Sequence, residues 1–397
     1  MKYVFTIIGF FVAVQAMFAQ QPAIWSLQDC YAYASTHNLS LQESDWDKRI
    51  AEIEVQRAKA SLYPSLSVAS SAGLSLGRSI SPTTNQFENT QFFSTGLSWS
   101  SNVLLFGWFQ KRYGIQKSEL QAQQTKERIR QQNEDLKLTI STAYLRALLA
   151  REQKENVIFQ LALSEEHKKR MESLLALGKS NILELAQTKT QLSTDSSLYL
   201  QAQLNYEQAI IDLKTILNLD YQQEITLDTA SLENLFFIET LNPENVYEQA
   251  LLQYPQINIG NISYKIAQKT LQISRSELFP QLSTYYSSGT NYSSSYKEIS
   301  PDGSQKIMNM GKQFNPNLSH SFGLSLSIPV WSNWSNRANI ESAKAALQQS
   351  QLNLEQSKLE LKQKVFTACV DYKLSLQKYQ NALATLDYAT IAYRAAQ

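Results

Sequence analysis

Gly73-Leu74-Ser75-Leu76-Gly77 matches the G-x-S-x-G elbow that lifts a nucleophilic serine above the sheet of acyl hydrolases. The chemistry would be acyl transfer, with His37, His167 or His320 taking the serine proton. That motif needs a sharp strand-to-helix turn. Here the alternation Leu66, Val68, Ser70, Ala72, Leu74, Leu76 runs straight through Ser75 into a polar loop, and Gly-Leu-Ser recurs at Gly96 and Gly323. The triplet therefore reads as strand composition, and His167 is expected near a helix tip, far from Ser75. No His, Cys or carboxylate spacing suggests a metal site, and no glycine-rich loop opens a helix after a strand. Cys30 and Cys369 sit in helical patterns with nothing to bring them together as a disulfide. No catalytic residue, cofactor or metal is expected.

The elements around these residues are long and thinly apolar. The chain has 397 residues, 43% of them hydrophobic, but Gln, Ser, Ala, Leu and Lys dominate long stretches that only 12 Gly and 9 Pro interrupt. A formal charge of +1 offers no basic field for nucleic acid, so none is expected as a partner. Residues 1–19 read as a secretory signal peptide: Lys2, an apolar run from Val4 to Val14, and small residues from Ala16 to Ala19. No Cys follows to carry a lipid anchor, and no later stretch approaches the roughly 20 apolar residues of a spanning helix. A mature chain that crosses a membrane must then do so with strands.

An internal duplication organises the rest. Ala58-Lys59-Ala60-Ser61-Leu62-Tyr63-Pro64-Ser65-Leu66-Ser67 returns as Ser274-Arg275-Ser276-Glu277-Leu278-Phe279-Pro280-Gln281-Leu282-Ser283, an offset of 216. Gly96-Leu97-Ser98-Trp99-Ser100 returns at Gly323-Leu324-Ser325-Leu326-Ser327, and Phe106-Gly107-Trp108 corresponds to Trp331-Ser332-Asn333-Trp334 at an offset of 225. The organisation reads as a first repeat over 20–220, a linker over 221–245 and a second repeat over 246–397. In each repeat a helix, 41–61 or 247–278 with a break at Pro255, meets an aromatic-Pro corner and two strands follow.

Phe93, Thr95, Leu97 and Trp99 alternate with Ser94, Gly96, Ser98 and Ser100, as Phe322, Leu324, Leu326 and Ile328 do with Ser321, Gly323, Ser325 and Ser327. Such runs suit tilted transmembrane strands with Phe93, Leu97, Phe322, Leu324 and Leu326 toward lipid. Trp99, Phe106, Trp108, Trp331 and Trp334 are expected to form an aromatic girdle at one end, and Arg78–Thr90 and Asn291–Leu318 to form external loops.

From Phe109 to Leu177 the chain carries no Pro and only Gly114, which predicts a helix roughly 100 Å long. Leu136, Ile140, Ala143 and Ala147 give it a narrow coiled-coil stripe. Gly178-Lys179-Ser180-Asn181 breaks it and 182–219 returns, an antiparallel hairpin. The second repeat starts the same way near Arg337, but the 225 offset puts its tip at position 403, six beyond Gln397. It reads as truncated before its tip and returning helix, so the second copy is expected to be incomplete.

These residues resemble the TolC-like outer-membrane efflux family over essentially the whole mature chain. The marks are Trp25-Ser26-Leu27-Gln28-Asp29-Cys30-Tyr31-Ala32-Tyr33-Ala34 with Asn38, the duplicated aromatic-Pro corners and Pro329-Val330-Trp331. The tip Leu177-Gly178-Lys179 and the helix end Leu213-Lys214-Thr215-Ile216-Leu217-Asn218-Leu219 complete them. The resemblance implies a mainly α protein with membrane β-structure: helical hairpins, and four strands per chain entering a twelve-stranded barrel of a homotrimer. It also implies residence in a Gram-negative outer membrane with the helices in the periplasm. Leu177, Gly178 and Lys179 would dock on a periplasmic adaptor linked to an inner-membrane transporter. Val103-Leu104-Leu105-Phe106 lacks the Pro of the second copy, and Ser332 and Ser335 depart from the family's usual residues, so the strand-to-helix corners are expected to differ. An exported periplasmic coiled-coil adaptor or scaffold is the alternative, though adaptors carry one hairpin flanked by compact β domains.

Overall fold

The computed structural model describes residues 23–80, 85–228 and 242–396, and the expected signal peptide of residues 1–19 lies outside them. The chain runs β1 (Ala23–Trp25), α1 (Leu27–His37), α2 (Leu39–Ala60), β2 (Ser65–Ile80), β3 (Phe87–Phe106), α3 (Gln110–Ala176) and α4 (Ile182–Leu217). There follow β4 (Ile225–Leu227), α5 (Pro243–Gln253), α6 (Pro255–Ser276), β5 (Gln281–Ser293), β6 (Lys297–Ile299), β7 (Gln305–Ile307), α7 (Met310–Phe314), β8 (Ser319–Ser327) and α8 (Ser335–Ala396). The 67 residues of α3 and 62 of α8 match the long helices expected from the scarcity of Pro and Gly.

Two compact units cut across the two repeats: the described residues within 1–48, 126–249 and 365–397 form one, those within 49–125 and 250–364 the other. Sequence repeats are thus not the units of packing, because strands of both copies share one sheet. The segment 221–245, expected as a plain linker, contains β4 and the start of α5.

In the first unit, Ile140, Ala143, Tyr144, Ala147 and Leu148 of α3 pack with Leu213 and Leu217 of α4, with Cys30 and Ala34 of α1, and with Trp25, Ile225 and Leu227. Three of the four expected stripe residues, Ile140, Ala143 and Ala147, are buried, and Leu136 packs against the cluster. β1 and β4 pair in parallel over only three residues, too short to hold alone. Tyr144 supplies the missing anchor. Fully buried, it directs its hydroxyl between the carbonyls of Trp25 and Asp228, at 2.9 and 2.6 Å.

Local chemistry sets the helix ends. Ser26 and Asp29 form a reciprocal capping box, whose Ser26 hydroxyl and N–H hold the Asp29 carboxyl below its usual range. That support is lost as pH falls through the lowered pKa. Buried Asn38 joins α1 to α2: its side chain accepts from Ser40 N–H at 3.0 Å and donates to the Ile216 carbonyl at 3.0 Å. Asn218, at φ 55°, ends α4 with Leu219 N–H on the Lys214 carbonyl, a left-handed cap.

The second unit holds a four-stranded antiparallel sheet of order β2-β3-β5-β8, with β2 and β8 at its edges. Its helical part closes over Leu271, Ile340 and Ala343. At Gly260 a Cβ would come within 2.9 Å of Leu354 Cδ1, so that crossing depends on the missing side chain.

Candidate functional site

The duplication holds down to single hydrogen bonds. Leu62 and Tyr63 N–H bond the carbonyls of Lys59 and Ala60, and Leu278 and Phe279 repeat this on Arg275 and Ser276. At the strand-to-helix corners Gln110 N–H bonds the Gly107 carbonyl and Ser335 N–H that of Ser332, 3.0 and 2.9 Å. Trp108 and Phe109 take φ 49° and 64°, and Asn333 and Trp334 φ 47° and 65°. Bulky side chains rarely adopt this left-handed conformation, which costs on the order of 1–3 kcal/mol per residue. The two corners therefore share one geometry, defined by paired left-handed residues and not by Pro or Ser, and Trp334 is the equivalent of Phe109. Pro329 acts earlier: β8 ends at Ser327, whereas β3, without a Pro, continues to Phe106.

Register places every strand on two faces. Leu66, Val68, Leu74 and Leu76 of β2 share a face with Phe93, Leu97 and Trp99 of β3 through the pairs Val68↔Trp99, Ser70↔Leu97 and Leu74↔Phe93. Tyr286↔Phe322, Thr284↔Leu324 and Leu282↔Leu326 carry that face across β5 and β8. Its Leu and Val residues on β2, and Phe322, Leu324 and Leu326, are exposed. The other face presents Ser67, Ser71, Ser75 and Ser79, then Ser94, Ser98 and Ser100, then Ser283, Ser287, Ser321 and Ser325. Ser75 lies mid-strand opposite Phe92, and His320 sits on the apolar face beside Ser288 and Tyr286. No elbow exists and the two are not brought together.

Trp108 packs on Phe279 with ring centroids 4.4 Å apart, and Phe106 contacts Trp108 and Phe109. Trp331 and Trp334 are exposed at the same end of the sheet. Trp99 is not in this cluster; opposite Val68 and Ser288, it sits in mid-strand. Phe279 and Phe109 join instead, which their places beside Pro280 and Trp108 could have signalled. The loops also differ from expectation. Pairing continues to Ile80↔Phe87, so Arg78 and Glu88 belong to strands. The segment 291–318 is built, because the buried Gln313 amide accepts from Ser293 N–H at 2.9 Å and donates to the carbonyls of Ser293 and Met308 at 3.0 and 2.8 Å. A Lys312–Glu298 ion pair and β6–β7 complete it.

At the tip, Gly178 takes φ 69° while Lys179 N–H bonds the Leu174 carbonyl and Gly178 N–H that of Leu175, a Schellman end. Asn181 then caps α4, accepting from Glu184 N–H at 2.9 Å, and Ser180 donates to Glu184 Oε2 at 2.6 Å. This doubly capped turn exposes Leu177, and also Ile182 and Leu183. Behind the tip, Asp195 is 1% exposed between α3 and α4, and accepts from Ser164, Gln160 and Gln191 at 2.5, 2.8 and 3.0 Å. It lies one heptad before buried Ala202, so a carboxylate on the apolar stripe was its signature.

Cys30 and Cys369 are both free. Burial, with Asp29 beside it, pushes the Cys30 thiol up to about 12. At pH 8 a maleimide is expected to label Cys369 on the folded protein and to reach Cys30 only in denaturant, as counted by intact mass. Equal labelling of both would show an open core.

A sheet with one apolar and one serine face, in a chain whose α3 and α4 form a long helical hairpin, marks an outer-membrane channel protein. The sequence profile described as "Outer membrane efflux protein" matches residues 31–219 and 246–397. The chain belongs to that family and resides in the outer membrane. Solved structures share its fold. CusC is 22% identical, with 95% of this chain and 85% of that chain covered at a TM-score of 0.71. The CmeC channel of Campylobacter jejuni is 16% identical, with 90% and 73% covered at 0.72. The open-state MtrE channel of Neisseria gonorrhoeae is 20% identical, with 90% and 75% covered at 0.67. No curated protein matches the chain by sequence. The adaptor alternative gives way, since a single sheet drawn from both repeats is not a pair of compact β domains around one hairpin.

Proposed function

We propose that this chain is one subunit of a passive exit duct, in which three copies close a twelve-stranded barrel and an inner-membrane transporter supplies the energy through a periplasmic adaptor. The two-faced sheet carries the reading. Its edges, β2 and β8, each have a single neighbour among the described residues. An unpaired edge is untenable in hydrocarbon, and alternation of direction lets β8 of one copy pair antiparallel with β2 of the next around a ring. Phe93, Leu97, Phe322, Leu324 and Leu326 then meet lipid, and Phe106, Trp108, Trp331 and Trp334 lie at the interface. The duct performs no chemistry of its own. Its substrate passes through a water-filled, hydroxyl-lined bore.

The tip at Leu177, Gly178 and Lys179 is the adaptor-docking element. The two caps and exposed Leu177, Ile182 and Leu183 support this, because an apolar patch held by caps at both sides pays little ordering cost on docking. A photo-crosslinker at Lys179 or Ser180 is expected to capture a co-expressed periplasmic adaptor, with none captured from Gln132 in mid-helix. Equal capture from all three positions removes the docking claim.

A further inference from the structure

The serine face is almost free of charge. Along β2 it carries Ser65, Ser67, Ala69, Ser71, Gly73, Ser75, Gly77 and Ser79, and β5 and β8 add only neutral residues. β3 contributes the single acidic or basic residue on this face among the described residues, Glu88, exposed and paired in register with Ser79 near the loop end of the hairpin. Arg78 and His320, the other acidic or basic residues described in these four strands, lie on the apolar face.

We propose that Glu88 sets the charge preference of the outer mouth: repeated around the barrel it forms a carboxylate ring that favours cationic over anionic solutes, in a bore that elsewhere discriminates by width and not by charge. This deepens the channel reading and rests on it. A neutral hydroxyl lining binds no ion strongly, so a ring of one sign at the end of the bore dominates the field there, while salt above about 1 M, with a Debye length of about 3 Å, screens it. The exported solutes it suits are cationic, zwitterionic or neutral and polar, and multiply anionic solutes are disfavoured. Asp302, an acidic group on the β6–β7 turn and outside the four-stranded sheet, serves as a control.

The test is the reversal potential of full-length protein in planar bilayers under a dilute KCl gradient. Wild type is expected to prefer K+, Glu88→Gln to lose that preference with its unitary conductance retained, and Glu88→Lys to move the potential further toward Cl−. Asp302→Asn is expected to leave it unchanged, and concentrated salt to erase the wild-type difference. Unchanged potentials in both Glu88 variants, in channels that conduct, overturn the proposal and leave the channel reading standing. A wild-type protein that gives no conductance overturns that reading, and the proposal falls with it.

Discussion

Arginine at Leu97 is expected to abolish assembly in the outer membrane, while arginine at the adjacent Ser98 is tolerated. Leu97 lies in the middle of β3, a central strand, between Ser70 and Thr290 on the apolar face. An arginine facing lipid at mid-depth costs about 2–4 kcal/mol, and near the interfaces only about 0–1, so the position decides the size of the effect. In the proposed ring of three copies that cost is incurred at every subunit. Ser98 points to the hydroxyl face, where a long charged side chain stays in water. The measurement is the share of protein recovered as a heat-modifiable oligomer from outer-membrane fractions. Equal recovery of Leu97→Arg and Ser98→Arg would show that the apolar face does not meet lipid. Leu324→Arg repeats the test on the edge strand β8 in the second copy of the duplication.

The second large effect belongs to Tyr144. Truncation to Ala empties the centre of the α1–α3–α4 core and releases the carbonyls of Trp25 and Asp228, for a loss of about 3–5 kcal/mol. Tyr144→Phe keeps the ring and leaves those carbonyls without the hydroxyl, costing about 1–3 kcal/mol. Thermal unfolding followed by helical circular dichroism is expected to rank wild type above Phe above Ala. Coincident melting of wild type and both variants would show that β1 and β4 are held by other contacts. The consequence for function follows from position, since this short parallel pair ties the chain ahead of α1 to the segment after α4.

Much of this was legible because it is encoded locally. The aromatic-Pro corners at Tyr63 and Phe279, the alternation of Phe322 to Ser327 and the break at Gly178 each depend on residues within one turn or one strand of each other. Those signals duplicate cleanly, and the hydrogen bonds duplicate with them. What escaped was built from contacts across long sequence distance. Asp195 looks like one more polar residue of a Gln- and Ser-rich helix until Ser164 and Gln160 of α3 close over it. The loop 291–318 looks merely polar, yet Gln313 folds it by pairing with the backbone of Ser293. Composition alone groups Trp99 with the corner aromatics, because it does not say how far along a strand a residue sits; only the register with Val68 does.

By itself, then, the sequence determined the repeat, the faces of the strands, the helical hairpin and its capped tip, because periodicity, proline and glycine act within a few residues. The tertiary structure decided which strands neighbour which. It put β3 of the first copy against β5 of the second, so that the compact units cut across the repeats. That pairing joins residues almost 200 positions apart, and it is selected by burial and backbone pairing across the whole sheet, which no local pattern records.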